Sequence, residues 1–324
     1  MPIVTIIGNT SWGNALSALL SDKGAAVRLW TRTGAEAEEL NQRRHSYSFT
    51  SDIEEALNGA DLVIWAVPSQ KLRQNASQAI KYLTDSMLLM SAVKGLEVNT
   101  CKRMSQVLAE EIAPALRRHI CVLSGPNLAR EINQGLPAAS MIAAQDTAVA
   151  ERARELMESP RFLLSISGDV IGVELGGALK NIIALGAGMI DGLGLGDNAK
   201  GAFIARGWAE AVSLGVALGA SAGTFCGLAG LGDLIATCSS TLSRNHYVGY
   251  ELAKGRSLPE ISVSMSNIAE GVTTTMVAQR LAKKHGLELP VVSLIHGILF
   301  EGLAPSRALI EFKEPAASPA SPLS

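Results

Sequence analysis

Three groups of residues have types and spacings that suit chemistry. The first is "GNTSWGNAL" at 8–16, which lies between an apolar run and a helical pattern. In a G-x-G-x-x-G loop the first glycine makes a tight turn and the third lets the helix pack close on its strand. The second lets the backbone approach a pyrophosphate, which the helix N-terminus then holds. Gly8 and Gly13 keep two of these roles, and Thr10 stands where the second glycine would be. Its hydroxyl is expected to donate to a phosphate oxygen. Taken alone, the loop also fits an ordinary turn that binds nothing. The next strand ends "LWTRTG", with Arg32 and no acid. An arginine there suits the 2′-phosphate of NADP, whereas an acid would hold the free ribose hydroxyl of NAD. A solvated arginine is the plain alternative.

The second group centres on Lys180, inside the apolar, glycine-dense stretch "GVELGGALKNIIALGAGMIDGLGLG". Burying an ammonium is costly, and burial lowers a lysine pKa toward values useful for proton transfer. A lysine that reaches back to solvent is the competing reading. The third group is Asp233 in "GLAGLGDL", followed by Ser243, Arg244 and Asn245 before another helical pattern. A helix start carrying Ser, Arg and Asn suits a phosphate. Asp233 and Ser243 also fit simple N-caps.

The elements that must hold these groups fall into two halves. Up to Gly168, short apolar runs alternate with helical patterns: "PIVTII", "AAVRLW", "ADLVIWAVP", "SMLLMSAVKG", "HICVLSGP", "AASMIAA" and "FLLSIS". A helix over 13–23 puts Leu16, Leu19 and Leu20 on one face. This alternation predicts an α/β fold, a Rossmann-type parallel sheet with helices on both faces. After Gly168 helical periodicity takes over, at 170–190, 199–218, 245–254, 268–285 and 290–302. The expected organisation is a dinucleotide-binding domain over 1–168, a helical substrate and catalytic domain over 169–312, and a disordered tail over 313–324. That tail, "KEPAASPASPLS", has no apolar periodicity.

Composition narrows the function classes. The 324 residues suit two domains. A net charge of −2, from 28 Lys+Arg against 30 Asp+Glu, gives no general attraction to nucleic acid or anionic lipid. The four cysteines have no C-x-x-C spacing and the five histidines are scattered, so no metal site is expected. A reducing cytoplasm is the expected location, and "MPIVTII" lacks the features of a signal peptide. The uncharged run 211–232 is long enough to span a bilayer, but six of its 22 residues are glycine. Each interior glycine costs a helix about 1 kcal/mol relative to alanine. The expectation there is a buried helix, a break near Gly219, a second short helix and a Gly-rich loop, with no membrane insertion.

Seven motifs in order make the chain resemble the bacterial NAD(P)-dependent glycerol-3-phosphate dehydrogenase family from Ile3 to about Glu311. They are "SWG" in the loop, "VKGLE" at 93–97, "SGPNLAREI" at 124–132, "GGALKNIIALGAGMIDG" at 176–192, "GLAGLGDL" at 227–234, "SRN" at 243–245 and "EG" at 270–271. The resemblance implies reversible reduction of dihydroxyacetone phosphate to sn-glycerol 3-phosphate with NADPH or NADH, supplying the phospholipid backbone. It implies Lys180 as the catalytic proton donor and acceptor. Lys94, Gly125, Asn127, Lys180, Asp233, Ser243, Arg244 and Asn245 then match substrate-contacting positions. Ser11, Trp12, Arg32, Lys94, Ala129, Arg244, Ile268 and Glu270 match cofactor-contacting ones, beside Gly8 and Gly13 of the loop. The implied partner is a small phosphorylated triose; a homodimer is compatible with the sequence, and nucleic acid is not an expected partner. The chain departs from the family at Thr10, where the family has glycine, and in a short 40–49 segment that lacks the family's proline-containing insert. Another two-domain hydroxyacid dehydrogenase, or an inactive NADP-sensing module, are the alternatives at this point.

Overall fold

The computed structural model describes residues 1–43, 45–265 and 269–310. Its first half runs β1 (Ile3–Ile7), α1 (Ser11–Asp22), β2 (Ala26–Trp30), α2 (Gly34–Asn41), β3 (Ser48–Thr50), α3 (Ile53–Leu57) and β4 (Leu62–Trp65). It continues with α4 (Leu72–Ala79), β5 (Leu88–Ser91), α5 (Met104–Glu111), β6 (Ile120–Ser124), α6 (Ala129–Asn133), β7 (Ala138–Ala144), α7 (Thr147–Met157) and β8 (Phe162–Ser167). The eight strands form one sheet in the order β3-β2-β1-β4-β5-β6-β7-β8. The inner strands are apolar on both faces, as a sheet covered twice by helices requires. Leu62, Val63, Ile64 and Trp65 of β4 are all fully buried.

Two details differ from the sequence expectation. The sheet is not wholly parallel: β7 pairs antiparallel with β6, and β8 runs parallel to β7. A parallel return needs a long crossover, usually a helix lying along the sheet. Here the connection holds only the five-residue α6, which packs on α1 instead. The chain therefore turns back. The other addition is β3, a three-residue edge strand beside β2, too short and polar to show an apolar alternation.

The second half contains no strand among the described residues. It consists of α8 (Val170–Leu193), α9 (Asp197–Ala217), α10 (Asp233–Ser239), α11 (Arg244–Ala253), α12 (Leu258–Ser264), α13 (Glu270–His285), α14 (Pro290–Phe300) and α15 (Pro305–Ile310). Helix α8 is the central post, packed by α9, α10, α11 and α13. Its glycines let neighbouring backbones touch. A Cβ on Gly188 would lie 2.0 Å from the His246 carbonyl oxygen, and one on Gly249 of α11 would lie 1.9 Å from that of Leu185. Among the described residues α8 is the one helix long and apolar enough to cross a membrane, and 89% of its apolar window is buried inside the protein. The uncharged 211–232 run breaks as expected at Gly219, which has a φ of +94°. Its Gly-rich end forms not a loop but a π-helical turn, Leu228–Gly232, leading straight into α10. The expected disordered tail, 313–324, lies outside the described residues, as does Ile268.

The two halves are pinned together by side chains. Glu174 of α8 accepts the Ser105 amide at 2.7 Å and the Ser105 hydroxyl at 2.6 Å, and pairs with Arg103. It thus satisfies an open N–H in the first turn of α5, which an N-terminus otherwise leaves unpaired.

Candidate active site

The strand ends carry a cleft of about 880 Å³, closed on its far side by the helical half. Its walls include the loop after β1, the end of β2, the segments after β4, β5 and β6, Lys180 and Asn181 of α8, and the start of α11. It opens where β1 has β2 on one side and β4 on the other, the switch point at which open α/β sheets bind ligands.

The glycine loop is built for close approach. Gly8 has a φ of +127°, and a Cβ there would lie 2.7 Å from the Ala66 carbonyl oxygen. A Cβ on Gly13 would lie 2.1 Å from the Gly8 oxygen. Neither position admits a side chain. Thr10 is the N-cap of α1, with its hydroxyl accepting from the Gly13 amide at 3.0 Å and donating to the Ala66 oxygen at 2.7 Å. The expected donation from Thr10 to a phosphate is therefore corrected: its proton already ties the loop to the end of β4. Ser11 and Trp12 line the cleft at the open first turn of α1.

After β2, Arg32 and Glu36 line the cleft together. No acid directly follows β2, but Glu36 folds back from the first turn of α2 to accept the Arg32 amide at 3.3 Å. Sequence reading missed it because the carboxylate reaches the strand end from four residues downstream.

Lys180 does not reach solvent. It is 5% exposed and donates to Asp233 Oδ1 at 2.6 Å and to the Thr237 hydroxyl. Lys94 donates to the other oxygen of the same carboxylate, Asp233 Oδ2, at 2.7 Å and to the Gly125 carbonyl at 2.7 Å. One buried carboxylate thus bridges two lysines, one from each half of the chain. Burial lowers the Lys180 pKa to about 8; Asp233 opposes the shift and Lys94 adds to it. Asp233 and Thr237 stand one turn apart on α10, an i, i+4 spacing that was present in "DLIAT". Asn181, beside Lys180, also lines the cleft.

Ser243 caps α11, accepting the His246 amide at 3.3 Å. Arg244 opens onto the cleft, yet the protein around it lowers its pKa by desolvation, against the pull of Glu270. Asn245 is buried and engaged: it donates to Asn181 at 2.8 Å and accepts the Gly271 amide at 2.9 Å. Glu270, whose pKa burial raises against the opposing effect of its Ser69 bonds and Arg244, accepts the Ser69 amide at 2.8 Å and bonds the Ser69 hydroxyl. Asn127 accepts the Ser140 hydroxyl at 2.7 Å, while its buried Nδ2 has no acceptor among the described residues. Ala129, at the start of α6, completes that wall. Of the sequence candidates, Gly13, Gly125 and Asp233 lie just behind the cleft surface, and Ile268 is outside the described residues. Among the described residues no three His, Cys, Asp or Glu side chains gather into a metal site.

The N-terminal profile of NAD-dependent glycerol-3-phosphate dehydrogenase matches residues 3–150, and the C-terminal profile matches 169–310. The chain belongs to the NAD-dependent glycerol-3-phosphate dehydrogenase family. A curated member, glycerol-3-phosphate dehydrogenase [NAD(P)+] of Dehalococcoides mccartyi, is 53% identical over 321 residues, covering 95% of this chain and 89% of that one. The crystal structure of glycerol-3-phosphate dehydrogenase from Coxiella burnetii superposes with a TM-score of 0.89 at 32% identity, covering 96% of this chain and 98% of that one. A ketopantoate reductase from Ralstonia eutropha, at 14% identity and a TM-score of 0.60, shares 94% of this chain and 99% of its own, and shows the fold alone. This glycerol-3-phosphate dehydrogenase family member is an NAD(P)-dependent oxidoreductase. Its cleft fits such a cofactor: Gly8 and Gly13 allow the tight strand-to-helix turn, the first turn of α1 lines the cleft at Ser11 and Trp12, and the buried Asn127 amide has no acceptor among the described residues.

Proposed function

We propose that this chain reduces dihydroxyacetone phosphate to sn-glycerol 3-phosphate, reversibly, with Lys180 as the proton donor. The observation that carries the reading is a buried lysine with a lowered pKa, held by Asp233 and Thr237 and facing the cleft. Bound in the cleft, the reduced nicotinamide supplies the hydride. The ketone oxygen then needs a proton, and Lys180 Nζ gives it one; in the oxidative direction neutral Lys180 takes it back. Asp233 fixes the lysine's direction. Lys94, on the same carboxylate, adds positive potential where negative charge develops on oxygen. Arg244, at the N-terminus of α11, binds the substrate phosphate and so holds the reacting carbon in place. Asn245 braces that helix start and presents its remaining N–H to the cleft. Asn127 donates its unpaired N–H to bound ligand. Arg32, Ser11 and Trp12 hold the cofactor with the glycine loop, and Glu270 joins the two halves across it.

In this reading residues 1–168 are the cofactor domain and 169–312 the catalytic one. The enzyme works in the cytoplasm, with four free cysteines, and supplies the backbone of phospholipids. The test is the oxidation of NADH and NADPH, followed by absorbance, with dihydroxyacetone phosphate and separately the reverse reaction with glycerol 3-phosphate against phosphate-free β-hydroxy acids. Turnover confined to the phosphorylated pair is expected. Turnover of the hydroxy acids instead, or cofactor binding without turnover, would overturn it.

A further inference from the structure

The end of the cleft beside β2 is lined by two residues of opposite charge, Arg32 and Glu36. Arg32 stands at the exit of β2, exposed on the cleft rim. The Glu36 carboxylate is held between the two walls: Oε2 accepts the Arg32 amide at 3.3 Å and Oε1 accepts the Asn9 side-chain amide at 2.7 Å. Asn9 belongs to the glycine loop, so the carboxylate spans from the pyrophosphate side to the strand end. The residue before α2, Thr33, accepts the Glu36 amide at 3.3 Å and fixes where the side chain starts. Each carboxylate oxygen has a further lone pair beyond its one protein donor.

We infer that Glu36 is a cofactor-selecting residue, which accepts the 2′-hydroxyl of NADH and disfavours the 2′-phosphate of NADPH. This rests on reading the glycine loop as the pyrophosphate site and Arg32 as its ribose-end neighbour. A carboxylate at the end of the second strand recognises a free ribose hydroxyl because that hydroxyl can donate to it. A 2′-phosphate has no proton to offer at neutral pH and meets the carboxylate as a like charge. Arg32 offsets part of that repulsion. The chain thereby keeps both cofactors within reach, with Arg32 serving one and Glu36 the other. Glu36 does not touch the reacting atoms, so its effect is on binding and not on the proton step.

The experiment measures dissociation constants of NADH and NADPH by quenching of tryptophan fluorescence, with 5′-AMP and 2′,5′-ADP as fragments that lack nicotinamide. Wild type is compared with Glu36→Gln, Glu36→Ala and Glu38→Gln. The last removes the same net charge from the same helix at an exposed position. Circular dichroism and thermal unfolding establish that each variant is folded. Glu36→Gln is expected to tighten NADPH and 2′,5′-ADP by about tenfold, and to weaken NADH and 5′-AMP by a similar factor, the size of one charge-assisted hydrogen bond. Glu36→Ala moves the ratio the same way, and Glu38→Gln leaves it unchanged. Equal shifts for both cofactors, or no shift, in a folded Glu36 variant would overturn the inference and leave Glu36 as a brace for Asn9. A wild type that binds neither dinucleotide would overturn the cofactor-site reading itself, and the inference with it.

Discussion

A side chain's chemistry here is set by its surroundings more than by its type. Lys180 is one of 28 basic residues. What separates it is the desolvation that brings its pKa to about 8 and the single carboxylate it shares with Lys94. Arg244 is separated by its place at the start of α11, open to the cleft beside Glu270. Arg244→Ala is expected to raise KM for dihydroxyacetone phosphate by about 10–100-fold, the range for losing a charge-assisted contact. Its effect on phosphate-free dihydroxyacetone should stay within about threefold, since no phosphate contact is there to lose. Steady-state kinetics with both substrates decide this; equal losses on both would remove Arg244 from phosphate binding. At this scale the sequence was most legible where one residue contradicted its surroundings. A lysine in a glycine-rich apolar helix and an arginine at a helix start both stood out. Thr237 and Glu36 did not, because a threonine inside one helix and a glutamate opening another are unremarkable until side-chain directions are known. The hydroxyl of Thr10 was misread for the same reason: its acceptor, the Ala66 carbonyl, is 56 residues away in sequence.

The element that positions most of the site is the boundary between a strand and the helix after it. Gly8, Arg32, Pro68, Lys94 and Asn127 all follow strand ends, and the strand order brings those ends to one edge. Their periodic apolar runs were readable because buried strands and helices repeat with different periods. The reversal of β7 was not readable, since direction depends on where α6 packs and not on the pattern within the strand. Thr10 shows what such a boundary demands: it caps α1 and ties it to β4 with one hydroxyl. Replacing it with the glycine that the fingerprint leads one to expect should therefore weaken the fold. Thr10→Gly is predicted to lower unfolding stability by about 1–2 kcal/mol, the sum of a lost N-cap and one lost hydrogen bond. Thr10→Ser, which keeps the hydroxyl, should stay within about 0.5 kcal/mol of wild type. Urea unfolding followed by circular dichroism measures both, and a Thr10→Gly protein as stable as wild type would show that neither bond matters.

Across the whole molecule, the lysine pair on Asp233 is completed only where the two halves meet. Lys94 comes from the sheet half, while Lys180, Asp233 and Thr237 come from the helical half. Glu174 with Ser105, and Glu270 with Ser69, bond one half to the other. The sequence made the two halves legible through a change of period after Gly168, but it carried no sign of which side chains would cross between them. The central claim is that Lys180 moves the proton, and the pH dependence of kcat in both directions tests it most directly. Reduction needs the protonated amine, so kcat for dihydroxyacetone phosphate should fall as pH rises through about 8. Oxidation of glycerol 3-phosphate needs the neutral amine, so its kcat should rise through the same region. In folded Lys180→Ala both should drop by about 10²–10⁴ and lose this inflection. A folded Lys180→Ala enzyme with near-wild-type kcat and an unchanged pH profile would contradict the account.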